Sequence, residues 1–106
     1  MIEDTLYNTT LERGVSRLAE SIEVYMNDTD GIPYIEILPV QWSLYAKTRA
    51  LAKEVINNYS FTLGNHLYAV SRALAECDRA WLETSLMSLK LILKIRHQLY
   101  DSETQQ

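Results

Sequence analysis

Apolar residues recur along this chain at intervals of three and four, the spacing that stacks side chains on one face of an α-helix. Between positions 61 and 101 they fall first at Leu63, Leu67, Val70, Leu74, Cys77 and Trp81. Continuing that stripe would require apolar residues at 84 and 88, where the chain has Thr84 and Ser88. A new stripe of Leu82, Leu86, Leu89 and Leu93 starts one residue out of phase. The jump predicts two helices that break between Glu76 and Leu82, in place of a single rod about 60 Å long.

The same periodicity predicts two earlier helices. Leu11, Val15, Leu18, Ile22 and Tyr25 form the inner stripe of a first helix over about 5–27, with Glu12, Arg13, Glu20 and Glu23 off it. Asp4 or Thr5 would cap it, and Asn27-Asp28-Thr29-Asp30-Gly31 would end it. Residues 28–38 then read as an extended connector, because Ile32–Pro39 is rich in β-branched and aromatic residues with a proline near each end. Some of Ile35, Ile37 and Leu38 are expected to be buried there. Pro39 suits the first turn of a second helix, with Leu44, Leu51, Ala52, Val55, Ile56 and Tyr59 facing in and Lys47, Arg49, Lys53 and Glu54 facing out. Ser60 or Thr62 would cap the third helix. The expected fold is a single all-α domain over 1–106, a four-helix bundle with an extended connector between the first and second helices. An acidic first helix precedes a basic three-helix block over 39–101, and a short disordered tail over 102–106 follows.

Composition agrees with this picture. The 106 residues have room for one domain, and 47 % hydrophobic residues suffice for a core. Only 3 glycines and 2 prolines are present, none after Gly64, which favours long helices over a turn-rich β fold. No apolar run reaches the length of a membrane span, and the acidic start MIEDTLYNTT lacks the basic and apolar regions of a secretory signal, so a cytoplasmic location is expected. The single Cys77 lies on an apolar stripe and reads as a buried structural thiol.

Charge changes the picture more. The net charge is −4, but residues 1–40 carry −6 and residues 41–100 carry +4. Such a split bears on partners rather than on fold. Within the basic block, Lys90, Lys94 and His97 share one stripe of the fourth helix, and Arg72 and Arg79 form a line on the third. Stripes of this kind bind phosphate backbones. The segment Leu89–Ile95 is apolar almost all round, which points to burial by more than one neighbour and hence to a subunit interface at Leu89, Leu91, Ile92 and Ile95.

No catalytic or metal-binding pattern emerges. Asp28-Thr29-Asp30-Gly31 faintly echoes a calcium loop, but aligning its glycine puts Met26 and Ile37 at the first and last ligand positions. His66 and His97 stand 31 residues apart without metal-ligand spacing, and no phosphate loop or nucleophile elbow exists. The expectation is a protein without catalytic residues, metal, cofactor or small-molecule substrate.

One resemblance goes further. The stretch from Ile56 to Ala80, followed by Trp81 to Asp101, resembles the accessory variability proteins of diversity-generating retroelements and the wider four-helix-bundle family around them. Phe61-Thr62-Leu63-Gly64 matches the family's aromatic-Thr-Leu-Gly opening of a long helix. Trp81-Leu82-Glu83 matches the aromatic-Leu-Glu start of the next, and Leu86, Leu89, Ile92 and Leu93 continue its Leu-rich pattern. The match begins near Leu44. The acidic helix of residues 1–27 stands in front of it, and the net charge is negative where the retroelement proteins are strongly basic. The resemblance implies a non-enzymatic homo-oligomer, commonly a pentamer, that binds a reverse transcriptase and structured template RNA during mutagenic complementary-DNA synthesis.

The expected function is therefore an accessory subunit of that kind, with Lys53, Arg72, Arg79, Lys90 and Lys94 touching phosphate or an acidic partner. Two alternatives compete with it. One is a phage or bacterial inhibitor or immunity protein acting through Glu12, Glu20 and Glu23 of the acidic first helix. The other is a small helical subunit of a CRISPR effector, which would bind RNA but assemble as a filament.

Overall fold

A computed structural model describes residues 7–104, apart from the side chains of residues 34, 35 and 101–104. Four helices follow one another: α1 (Thr9–Asp28), α2 (Tyr34–Asn58), α3 (Phe61–Ala75) and α4 (Arg79–Thr104). Each packs on its neighbours in sequence, and α1 closes the ring against α4. The result is an all-α four-helix bundle.

The helix ends follow local side-chain chemistry. Asn8 caps α1 by accepting the Leu11 N–H on Oδ1 at 3.0 Å, so the helix starts at Thr9. The expected caps, Asp4 and Thr5, lie outside the described residues. Ser60 caps α3 in the same way, accepting from the Leu63 N–H at 3.1 Å. Between α3 and α4 the expected break falls at Glu76–Asp78. Cys77 adopts φ 56°, its N–H reaches the Leu74 carbonyl, and the Asp78 N–H reaches that of Ala73, both at 3.3 Å. These two bonds close the left-handed helix terminus that glycine normally supplies. Asp78 then caps α4 through the Trp81 N–H at 2.9 Å. Cys77 is thus a half-buried turn residue, where the stripe placed it on a helix face.

Two boundaries differ from expectation. The extended connector is shorter than 28–38, because α2 already begins at Tyr34 and Pro33 (φ −59°, ψ 140°) is its N-cap. Pro39 therefore stands inside the helix, where it cannot donate to the Ile35 carbonyl, a defect costing about 3 kcal/mol. Helical burial of Ile37, Gln41 and Leu44, spaced four and three apart, offsets that loss. At the other end α4 runs to Thr104, through positions 102–104 assigned to a disordered tail.

The core is the expected one. Val15 and Ile22 from α1, Val55 from α2, Leu63, Leu67, Val70 and Leu74 from α3, and Leu82, Leu86, Leu89 and Leu93 from α4 are all buried. Gly64 brings α2 and α3 together: a Cβ there would lie 2.1 Å from Ile56 Cγ1 and 3.0 Å from the Ile56 backbone nitrogen.

Polar side chains cross this core in two places. Gln41, buried, accepts from the Tyr25 hydroxyl at 2.6 Å and donates to the Leu74 carbonyl at 2.7 Å and the Cys77 Sγ at 3.1 Å, joining α1, α2 and the end of α3. At the opposite end of α1, Glu12 is 3 % exposed, although its sequence position placed it off the stripe. Glu12 Oε2 accepts from Arg96 Nε at 2.8 Å and from the Tyr59 hydroxyl at 2.7 Å, and Arg96 Nη2 donates to the same hydroxyl at 2.8 Å. Among the described residues Glu12 Oε1 has no partner. Burial, reinforced by the bond to Glu12, pushes the Tyr59 hydroxyl from 10.0 up to about 12.

Removing one partner of a buried ion pair strands the other charge, at about 3–5 kcal/mol, whereas replacing both by apolar groups is far milder. Arg96→Met should lower the unfolding free energy by that amount, and Glu12→Leu/Arg96→Met should recover most of it in urea titrations. Tyr59 supplies a second test. Its folded pKa is raised, so its contribution is complete below pH 10, the ionisation range of the unfolded tyrosine, and is lost as pH rises through about 12. The urea midpoint should fall across that window, and Tyr59→Phe should flatten the fall.

Candidate nucleic-acid interface

Trp42, Tyr45, Arg49 and Lys53 lie three, four and four residues apart, so α2 presents them as one stripe. Trp42 is half exposed and meets the Tyr45 ring edge-on, with centroids 5.4 Å apart. The Tyr45 hydroxyl accepts from Arg49 Nη1 at 2.6 Å, which raises the arginine pKa further and holds the exposed guanidinium in place. Lys53 is exposed one turn beyond.

The neighbouring helix extends this surface. The Gly64–Ile56 contact holds α3 close against α2, and counting equal numbers of residues away from it along two antiparallel helices puts Arg72 at about the height of Thr48. Arg72 is exposed and stands 5.8 Å over the Trp81 ring, a cation–π distance. Phe61, at the start of α3, is 53 % exposed. Two acids lie close to these cations: Glu54 follows Lys53 and points about 100° away around α2, and the exposed Glu76, at the C-cap of α3, stands one helical turn beyond Arg72. The outer surface along the seam of α2 and α3 thus displays three cations near aromatic rings, Arg49 and Lys53 on α2 and Arg72 on α3, the last turned towards Trp81 of α4. Aromatic faces stack bases and cations hold phosphates, so the combination suits single-stranded nucleic acid.

Of the five cations expected to touch phosphate, only Lys53 and Arg72 belong to this seam. Arg79 is occupied at the C-terminus of α1, donating to the Met26 carbonyl and, at 3.0 Å, to Thr29 Oγ1. A cation there complements the helix dipole. Lys90 is paired with Glu23. Both line a groove of about 940 Å³ between α1 and α4 that also contains Glu23, Asp30 and Glu83, so it does not favour phosphate. Lys94 is exposed on α4, away from the seam. The four expected interface residues also divide: Leu89 is in the core and Ile92 packs against it, while Leu91 and Ile95 are 59 % and 42 % exposed.

Trp42, Tyr45 and Arg49 were absent from the sequence-derived site. Their 3-4-4 spacing with Lys53 was the available signal, but the aromatic residues could equally have faced the core. Among the described residues no cluster of three or more metal-ligating side chains occurs, and no helix is long and apolar enough to cross a membrane. No protein-family model, curated protein or solved structure matches this chain.

Proposed function

We propose that this protein is a non-enzymatic accessory subunit that binds single-stranded segments of a structured RNA along the α2–α3 seam. In the manner of the retroelement accessory proteins that its sequence resembles, it would hold that RNA for a reverse transcriptase. The observation supporting this reading is the set of exposed cations Arg49, Lys53 and Arg72 beside the aromatic rings of Trp42, Tyr45 and Trp81. The negative net charge does not oppose it, because Glu12, Glu20, Glu23 and Asp28 belong to α1, which is not one of the two helices carrying these cations.

The inhibitor reading has less support. Glu12 is buried in the core and Glu23 is paired with Lys90, which leaves Glu20 of the three acids it relies on.

Fluorescence anisotropy with a labelled single-stranded RNA tests the proposal. Three neutralised phosphates predict a slope of about −2 for log affinity against log salt concentration. Arg49→Gln/Lys53→Gln/Arg72→Gln should flatten that slope towards zero. Trp42→Ala should cost about 1–3 kcal/mol through lost stacking. Lys90→Gln should leave binding unchanged. Absent binding, or equal loss from Lys90→Gln and from the triple variant, would refute the seam as the RNA site.

A further inference from the structure

The outer face of α4 carries a pattern that the bundle does not use. Ala80, Thr84, Ser88, Leu91, Ile95 and Leu99 are all exposed and follow one another at spacings of 4, 4, 3, 4 and 4. The stripe contains no charge. Thr84 donates its hydroxyl back to the Ala80 carbonyl at 3.1 Å, which satisfies that polar group within the helix. Leu91 and Leu99 are 59 % and 60 % exposed, and Met87 beside them is 65 % exposed.

The spacing is symmetric about the peptide between Leu89 and Lys90, but the residue sizes are not. The first half of the stripe is small and the second half large. We propose that this face docks a second copy of the chain, with the two α4 helices antiparallel about a two-fold axis at that midpoint. The axis brings Ala80 level with Leu99 of the other copy, Thr84 with Ile95, and Ser88 with Leu91. Every large side chain then meets a small one. A two-fold interface requires a patch complementary to itself, and this stripe is one.

Charge provides an independent argument for the same register. Glu83 and Lys94 each precede a stripe residue by one position and so share a flank. They are exposed, and among the described residues neither has an ion-pair partner. Eleven residues of helix hold them about 16 Å apart along the axis within one chain, too far to pair. The two-fold arrangement brings Glu83 within two residues, or about 3 Å along the axis, of Lys94 in the other copy, and symmetry makes the contact twice. A parallel two-fold arrangement would instead place the two copies of this flank on opposite sides of the contact, so Glu83 and Lys94 would not meet across it. The retroelement resemblance implies a ring, commonly of five, whereas a self-complementary face closes at two. This inference stands apart from the RNA-binding reading, since the seam takes no part in it.

Sedimentation velocity and native mass spectrometry of the whole chain across micromolar concentrations provide the test. The expected species has twice the 12.3 kDa chain mass. Leu91→Glu should raise its dissociation constant at least a hundredfold, with helical content unchanged by circular dichroism because the position is exposed. Glu83→Lys and Lys94→Glu should each weaken the dimer by about fivefold, as expected of exposed pairs, and the double reversal should return it to within about twofold of the parent. A monomer at all concentrations, a five-membered ring, a filament, or Leu91→Glu without effect would overturn the proposal. So would charge reversals that add instead of cancelling.

Discussion

The buried contact of Glu12, Tyr59 and Arg96 is the constraint on which the position of α1 depends. α1 packs chiefly on α4 and α2, and apart from Tyr25 its apolar core side chains, Val15, Ala19 and Ile22, are small or aliphatic. Apolar surfaces of that kind tolerate sliding, since dispersion contacts have little directional preference. A carboxylate held by a guanidinium and a phenol has a narrow distance and angle range. It therefore fixes the start of α1 against the end of α2 and the second half of α4. At the other end Arg79 holds the α1 C-terminus and Gln41 holds Tyr25. The apolar core supplies most of the free energy, while these polar contacts set which turn of α1 lies beside which turn of α4.

The bundle was largely legible in the sequence because helical stripes announce their own burial. The phase jump between Trp81 and Leu82 located the α3–α4 break, and the stripe of α3 was correct through Leu74. Glu12 was misread for a physical reason: a charged residue at a helical position reads as solvated unless its partners are known, and Tyr59 and Arg96 lie 47 and 84 residues away. The connector failed differently. Local preference in Ile32–Pro39 favours extended chain, and tertiary burial of Ile37 and Gln41 overrode it. Cys77 adopts a conformation associated with glycine, so no residue type marked the turn.

The candidate site was legible only in part, since five cations were named and two of them lie on the seam. What a list of basic residues lacks is competition. Arg79 faces helix carbonyls and Lys90 faces Glu23, so their charges are satisfied within the chain. Among the described residues neither Lys53 nor Arg72 is in an ion pair, although Glu54 and Glu76 lie close by in sequence. Sequence spacing within one helix cannot show this, because the competing groups arrive from other helices. The charge asymmetry between the halves of the chain persists in the fold only in part: Glu12, Glu20, Glu23 and Asp28 lie on α1, while Glu36 and Glu54 lie on α2 and Glu76 caps α3.

Three cations form a modest electrostatic site, so the proposed RNA binding at a single seam would be weak and salt-sensitive. Pairing through α4 bears on this limit. In the ring of helices α4 adjoins α1 and α3, so a two-fold contact on its outer face covers neither α2 nor the outer seam. The pair then carries two seams on one body. An RNA long enough to reach both would make its second contact intramolecularly, at an effective concentration set by the span between them and not by the bulk. Weak faces held in a fixed relation can discriminate a folded RNA from a short fragment without any base-specific contact. If both proposals hold, the apolar stripe of α4 and the basic surface of α2 and α3 would serve one purpose, the first by setting the number of binding faces and the second by supplying their chemistry.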